Sequence, residues 1–237
     1  ASQESQQNLK NLNVKNLKFI GNIKFSGEVD SNKLKDKNIE SLKQNKFWCA
    51  ASTHEGEEIV CLEAHLNLKK KFINIKTVII PRHINRSKQI RRLCDKLNLS
   101  SQILNHGDKI QDNSEIIIVN SFGSLSKFFN YSDSVFIGKS LLKKLKKVGG
   151  QNPIEAAKLG CKIYHGPYIY NFKEIYDLLG TCEISEEIHD SKTLCEKLTN
   201  DFNNLANNPL NEANRIDELG KKILNNTVKE ISSFLKQ

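Results

Sequence analysis

The chain has 237 residues, of which 38% are hydrophobic and 27% charged, a balance typical of a globular protein with a substantial core. It contains no run of the roughly 20 apolar residues that a membrane-spanning helix needs, and its polar first five residues are unlike a signal peptide. The net charge of +9 leaves nucleic acid, an anionic membrane surface and a small anionic ligand as candidate partners.

Several common catalytic and metal-binding motifs are missing from the sequence. The six cysteines never form a C-x-x-C pair, which argues against a zinc site and favours a reducing compartment. No Asp-x-Asp pair offers the usual carboxylate route to a metal–nucleotide complex. There is also no G-x-G-x-x-G after the first strand, no Walker A motif and no G-x-S-x-G elbow. We therefore expect a site that binds an anion without a metal or cofactor and without a protein nucleophile.

Apolar periodicity predicts strands and helices in alternation along most of the chain. The predicted strands are 17–25, 47–52, 76–80, 102–104, 115–120, 134–138, 161–164 and 181–184. The predicted helices are 31–44, 59–66, 85–97, 124–129, 153–159, 172–179, 191–204 and 211–235. Strands that are continuously apolar indicate an α/β fold with a Rossmann-like, doubly wound and mostly parallel sheet. We expect one domain over residues 1–237, with two C-terminal helices from about residue 191.

Polar residues follow several predicted strands, where ligands bind in sheets of this kind. The segments expected at this edge are 52–54, 81–83, 121–124, 138 and 149–155, so Ser52 and Thr53 lie there. Arg82 could grip a phosphate or a carboxylate in bidentate geometry, although a surface ion pair explains it equally well. His54 and His83 could donate to the same anion or could be ordinary hydrogen-bonded loop histidines.

Residues 149–160 have the pattern of a glycine turn followed by a short capped helix. Gly149 and Gly150 would let a ligand approach the backbone. Asn152 suits the N-cap and Pro153 the first helical position, with Glu155 placed for a capping box. The alternatives are a purely structural helix and an anion site in which Glu155 accepts hydrogen bonds from a ribose diol.

A second helix start, at Gly123 and Ser124, offers backbone N–H groups and a hydroxyl to a phosphate, or is a plain start capped by Ser121. Glu57 and Glu58, like Glu55 before them, are interpreted as first-turn residues that favour the helix dipole. The basic run at 143–147 is interpreted as a solvated helix face.

Six stretches, in the right order over about residues 1–180, resemble sequence motifs of the 3-deoxy-D-manno-octulosonic acid (Kdo) transferases. Residues 47–58 resemble W-x-A-x-S-T-H-x-G-E-E, and residues 149–155 resemble G-G-[HQ]-N-P-x-E. The others are 21–25 (GNIKF), 81–83 (PRH), 136–141 (FIGKSL) and 166–172 (GPYIYNF). Six ordered motifs make the resemblance specific.

The resemblance implies the C-terminal, donor-binding half of a GT-B glycosyltransferase. Such an enzyme is inverting and metal-independent, and moves Kdo from CMP-Kdo to a lipid A precursor in lipopolysaccharide biosynthesis. Carried over motif by motif, the residues implied to bind CMP are Pro81, Arg82, Gly123, Ser124, Leu125, Asn152, Pro153, Ile154 and Glu155. Further candidates are Ser52, Thr53, His54, His83, Gly149 and Gly150. Ser124 stands where the family usually has Glu, so only backbone donation is expected there.

The family places its catalytic Glu, acceptor site and membrane anchor in an N-terminal domain that this sequence does not match. We therefore expect no catalytic residue in the chain, which alone would bind donor but transfer little or no sugar. The full-length enzyme is expected in the cytoplasm at the inner face of the inner membrane. Its expected partners are CMP-Kdo, the lipid A precursor and an anionic membrane surface, and not nucleic acid.

Two other hypotheses stay open from the sequence. The chain could belong to a GT-B transferase that uses another nucleotide sugar. It could also be a basic module that binds nucleic acid or an anionic membrane, although its lysine runs lack the interleaved aromatic residues typical of such modules.

Overall fold

The computed structural model describes residues 3–29, 36–204 and 210–235. Its strands are β1 (Lys46–Thr53), β2 (Ile75–Pro81), β3 (Ser101–Leu104), β4 (Ile116–Val119), β5 (Ser134–Ile137), β6 (Lys162–His165) and β7 (Ser185–Glu187). They form one sheet in the order β3-β4-β2-β1-β5-β6-β7, and every neighbouring pair is parallel. The predicted Rossmann-like, doubly wound sheet is confirmed.

Helices cover both faces of this sheet. The α-helices that the structure describes are α1 (Gln3–Asn11), α2 (Asp36–Lys43), α3 (Glu57–Lys69), α4 (Ser87–Lys96), α5 (Leu125–Phe129), α6 (Ile154–Lys158), α7 (Lys173–Thr181), α8 (Ser191–Asn203) and α9 (Leu210–Leu235). Of these, α1 buries no residue. No helix among these described residues is both long enough and apolar enough to cross a bilayer.

The core consists of two clusters, because neighbouring residues of a strand point to opposite faces. On β1, Cys49 packs with the helices that include α6 and α7, whereas Trp48 and Ala50 pack with α3, α4 and α8. All three side chains are fully buried. Burial on both faces explains why the strands read as continuous apolar runs.

The strand predicted at 17–25 is wrong. Residues 17–22 have no regular secondary structure, and Ile23–Ser26 form a 3-10 helix that packs against α9. The side chain of Asn22 caps this turn by accepting a hydrogen bond from the backbone N–H of Lys24. Phe25 is buried there. Phe25 thus serves a contact with a distant helix, while Phe19 and Ile23 are exposed. Local alternation cannot distinguish this arrangement from a strand.

The last strand lies later than the predicted 181–184. Helix α7 continues through Gly180 to Thr181, and the chain turns at Glu183, whose φ is 58°, before β7 begins at Ser185. The four lysines of the run 143–147 are exposed as expected, but Leu145 is buried, and Lys143–Leu145 form a 3-10 turn instead of an α-helix. Of the helix predicted at 31–44, residues 31–35 lie outside the described ranges, and α1 was not predicted.

The order of the strands determines where a ligand would bind. From β1 the chain moves outward to β2, then returns to the other side of β1 to form β5. Such a reversal leaves a crevice beyond the carboxyl ends of β1 and β5, where ligands of open α/β sheets bind. The segments that follow β1, β2, β4 and β5 all emerge at this carboxyl edge.

Candidate functional site

The loops after β1 and β5 approach each other closely at the carboxyl edge. Gly138, directly after β5, donates its N–H to the Ala51 carbonyl at 2.8 Å. A Cβ at this glycine would lie 2.7 Å from Thr53 Cα and 2.8 Å from the Ser52 carbonyl oxygen. Ser52 itself has a φ of 54°, a conformation that non-glycine residues adopt rarely. The crevice is therefore bordered by two tightly fitted backbones.

Glu57, in the first turn of α3, lies beneath these loops and is completely buried. Its Oε2 accepts hydrogen bonds from the backbone N–H groups of His54 (2.9 Å) and Lys139 (2.7 Å). Its Oε1 accepts from the N–H groups of Ser140 (2.8 Å) and Leu141 (3.0 Å). The carboxylate therefore joins the β1 loop to the β5 loop, a role beyond the interaction with the helix dipole that the sequence suggested.

The glycine turn is attached to the β5 loop. Gly150, whose φ is 91°, donates its N–H to the Lys139 carbonyl at 2.6 Å. The Gly149 carbonyl accepts from the N–H of Asn171 at 2.9 Å. A Cβ at Gly149 would collide with the backbone of residue 168. Both glycines are thus required by the close packing of this turn.

The helix that follows the turn begins one residue later than predicted, with Pro153 and not Asn152 at the N-cap, although the Asn152 side chain still accepts a backbone hydrogen bond there. Asn152 Oδ1 accepts from the N–H of Ile154 at 3.1 Å, and α6 begins at Ile154, one residue after Pro153. Pro153 and Ile154 are buried, Asn152 is exposed, and Glu155 is partly exposed in the first turn. The exposed side of this helix start therefore carries an amide and a carboxylate.

Arg82 lies across the crevice, beside the end of β1. Its backbone N–H donates to the Thr53 carbonyl at 3.1 Å, and Thr53 is paired with Pro81 in the sheet. The Arg82 side chain is exposed, and its guanidinium forms no hydrogen bond or ion pair with any residue that the structure describes. The alternative interpretation as a surface ion pair thus finds no partner in those ranges, and the cation is available to an anion.

Glu58 supports this side of the crevice. Its Oε1 accepts from Thr53 Oγ1 at 2.9 Å, and Arg86 binds both of its oxygens, at 2.5 and 3.2 Å. Glu58 is fully buried, so it requires the paired guanidinium. The bidentate pair fixes Thr53 and, through the Thr53 carbonyl, the backbone of Arg82.

The two candidate histidines are neighbours. The rings of His54 and His83 meet edge to face with 5.7 Å between centroids, and His54 Nδ1 lies 3.1 Å from the Ser52 carbonyl oxygen. Burial lowers the pKa of His54, and this effect outweighs the hydrogen bond to Ser52 and the Glu57 carboxylate, which both raise it. The hydrogen bond from His54 to the Ser52 carbonyl holds this ring in place beside the crevice, while His83 is exposed.

Gly123, Ser124 and Leu125 lie further along the carboxyl edge, since β2 separates β4 from β1. Ser124 is buried, with its Oγ 2.7 Å from Ser121 Oγ, and Gly123 is exposed. Helix α5 contacts both α6 and β1. Within the described ranges, no backbone–backbone hydrogen bond joins 123–125 to Arg82 or to 152–155, so this segment shares the edge through packing of its helix.

Comparison with known proteins decides the family. The chain is 32% identical to the 3-deoxy-D-manno-octulosonic acid transferase of Rickettsia prowazekii, over 99% of the chain and 51% of that protein. It is 30% identical to the enzyme of the same name from Haemophilus influenzae, over 78% of the chain and 44% of that protein. The chain belongs to the Kdo transferase family. It spans about half the length of the relatives that it matches.

Solved structures agree with this assignment at the level of the fold. The C-terminal CMP-Kdo binding domain of WaaA from Acinetobacter baumannii matches with a TM-score of 0.63 and 22% identity, over 79% of this chain and 96% of that domain. A putative UDP-N-acetylglucosamine 2-epimerase from Listeria monocytogenes matches with a TM-score of 0.64 and 14% identity, over 100% and 59% of the two chains. No protein-family model matches the chain.

Sequence reasoning missed the structural roles of Glu57 and Glu58. Both are fully buried although they are acidic. The available signal was their position directly after a strand and its loop, in a helix whose following residues are largely apolar. In residues 3–29, 36–204 and 210–235, no three His, Cys, Asp or Glu side chains lie close enough together to hold a metal ion.

Proposed function

We propose that this chain binds CMP-Kdo as the donor half of a Kdo transferase that delivers Kdo to a lipid A precursor. The observation that carries the proposal is family membership combined with the shape of one edge of the sheet. Arg82, whose exposed guanidinium has no partner among the described residues, and the helix start at Asn152–Glu155 both lie at the carboxyl edge, on the loops that border the crevice between β1 and β5. The WaaA domain named for CMP-Kdo binding shares this fold, which supports the proposal.

In the proposed complex, Arg82 binds the CMP phosphate and Glu155 accepts hydrogen bonds from the ribose hydroxyls. Asn152, Pro153 and Ile154 form the surrounding wall, and Gly123–Leu125 contribute backbone N–H groups. Ser52, Thr53, His54, His83, Gly149 and Gly150 complete the crevice. An anionic phosphate would neutralise a cation that the described residues leave unpaired.

The proposed reaction is a direct displacement at the anomeric carbon of Kdo. An acceptor hydroxyl attacks that carbon, the bond to the CMP phosphate oxygen breaks, and the configuration inverts. Arg82 would offset the negative charge that develops on the departing phosphate. We assign the base that accepts the hydroxyl proton to the part of the family's sequence that this chain does not match, and we infer no metal in the step. The location that we propose for the whole enzyme is the cytoplasmic face of the inner membrane.

Competition between nucleotides tests the donor assignment. A fluorescent CMP analogue should be displaced by CMP and not by an equal concentration of UDP. Preferential displacement by UDP would favour a GT-B transferase for another nucleotide sugar. A transfer assay with CMP-Kdo and a lipid A precursor tests the division of roles, because robust transfer by this chain alone would refute the assignment of the base to another part of the enzyme.

A further inference from the structure

Glu57 connects three segments of the site without being exposed to any ligand. We propose that Glu57 is a positioning residue for donor binding, because its carboxylate fixes the Lys139–Leu141 backbone and, through Lys139, the turn at Gly150. The inference rests on the proposed donor site, since it concerns how that site is held in shape.

The distribution of hydrogen bonds over the carboxylate supports this role. Each oxygen accepts two backbone N–H groups, those of His54 and Lys139 on Oε2 and those of Ser140 and Leu141 on Oε1. A residue that only complements the helix dipole needs none of these partners. Charge-assisted hydrogen bonds to backbone N–H groups are short and strong, so four of them hold the two loops firmly together.

Lys139 is the link between Glu57 and the glycine turn. Its φ is 59°, a left-handed conformation that is unfavourable for residues other than glycine. Its N–H donates to Glu57, while its carbonyl accepts from Gly150 at 2.6 Å. Because both groups flank one Cα, a change in the Lys139 conformation displaces the acceptor of Gly150. The Asn152–Glu155 segment follows two residues later.

Glu57→Gln is a suitable test because it removes the charge of the carboxylate and preserves the size of the side chain. Whichever way the amide turns, its NH2 group faces two N–H donors and only its oxygen can still accept. Asp201→Asn is the matched control. The Asp201 carboxylate also accepts two hydrogen bonds from the sheet, from Ser134 Oγ at 2.5 Å and Tyr164 OH at 2.6 Å. Ser134 begins β5 at the opposite edge, so this control leaves the crevice intact.

The first measurement is calorimetric titration with CMP. Glu57→Gln should weaken CMP binding by roughly tenfold or more, since hydrogen bonds to charged groups are among the stronger ones, while Asp201→Asn should bind as the wild type does. Lys139→Gly should restore part of the loss when added to Glu57→Gln, because glycine adopts a positive φ freely. A folded Glu57→Gln protein with wild-type affinity would overturn the inference, as would losses from Glu57→Gln and Lys139→Gly that simply add.

Amide hydrogen exchange without ligand separates this inference from the proposed function. In Glu57→Gln, the Gly150 amide should lose protection from exchange although it does not contact Glu57. In Asp201→Asn, the Gly150 amide should keep its protection. In the wild type, the Gly150 amide and those of 139–141 should open with the same free energy. Independent opening would overturn the coupling even if Glu57→Gln does not fold. If the wild type shows this coupling but does not bind CMP, the proposed function is refuted and the positioning role of Glu57 in the loop structure is not.

Discussion

Gly138→Ala tests whether β1 and β5 approach each other at the carboxyl edge as closely as the structure shows. The added Cβ would lie 2.7 Å from Thr53 Cα, 2.8 Å from the Ser52 carbonyl oxygen and 2.8 Å from Glu57 Oε2. Carbon atoms in contact are normally about 3.5–4.0 Å apart, so the two backbones must separate by roughly 1 Å. Overpacking of this kind typically costs about 1–3 kcal/mol of unfolding free energy.

Thermal unfolding followed by circular dichroism measures this cost. In a domain of this size each kcal/mol lowers Tm by about 2–4 °C, so we expect a decrease of roughly 2–12 °C. CMP affinity should also fall, because the displaced loops carry the crevice. At the control position Gly180, near the end of α7, the atoms nearest to an added Cβ are 3.9 Å away. Gly180→Ala should leave Tm unchanged or slightly raised. A Gly138→Ala protein with wild-type Tm and CMP affinity would refute the close approach.

Two further predictions concern buried ionisable side chains. Burial lowers the pKa of His65 from 6.5 to about 4. The unfolded chain therefore takes up the proton first, and the stabilisation by neutral His65 is complete above pH 6.5 and is lost as the pH falls towards 4. In urea unfolding, the unfolding free energy should fall between pH 6.5 and pH 4, and this fall should be smaller in His65→Gln by up to about 3 kcal/mol. The same pH dependence in both proteins would contradict a buried neutral ring. Arg86→Ala should lower the unfolding free energy by about 3–5 kcal/mol, because it leaves the Glu58 carboxylate buried without its cation. Lys173→Ala, which breaks an exposed pair with Asp177, is the control and should have no measurable effect, and equal losses in the two variants would show that Glu58 is not buried.

The strands were predictable where burial alone determines the pattern. The apolar runs of β1, β2 and β4 are covered on both faces, so their sequence admits few other structures. The strand predicted at 17–25 was wrong because Phe25 packs beside α9, almost two hundred residues later in the chain, and not in the sheet. β7 was misplaced because the helix predicted at 172–179 in fact continues through Gly180 to Thr181.

The sequence predicted which segments form the site but not how their residues contact one another. Topology brings the ends of parallel strands to one edge, so 52–54, 81–83 and 149–155 could be grouped from the sequence. The role of Glu57 could not be read this way, because its partners Lys139, Ser140 and Leu141 come from a loop more than 80 residues away. A carboxylate in a first helical turn looks the same in sequence whether it faces solvent or holds a loop.

The most direct test of the proposed function is calorimetric titration with CMP of the wild type and two site variants. The wild type should bind saturably, and Arg82→Ala and Glu155→Ala should each weaken binding roughly tenfold or more, as expected when a charged hydrogen-bonding group is lost. Arg92→Ala and Glu63→Ala remove equivalent charges from exposed positions on α4 and α3 and should leave affinity unchanged. No saturable binding by the wild type, or equal affinity in both site variants, would contradict the assignment of a CMP-Kdo site to this crevice.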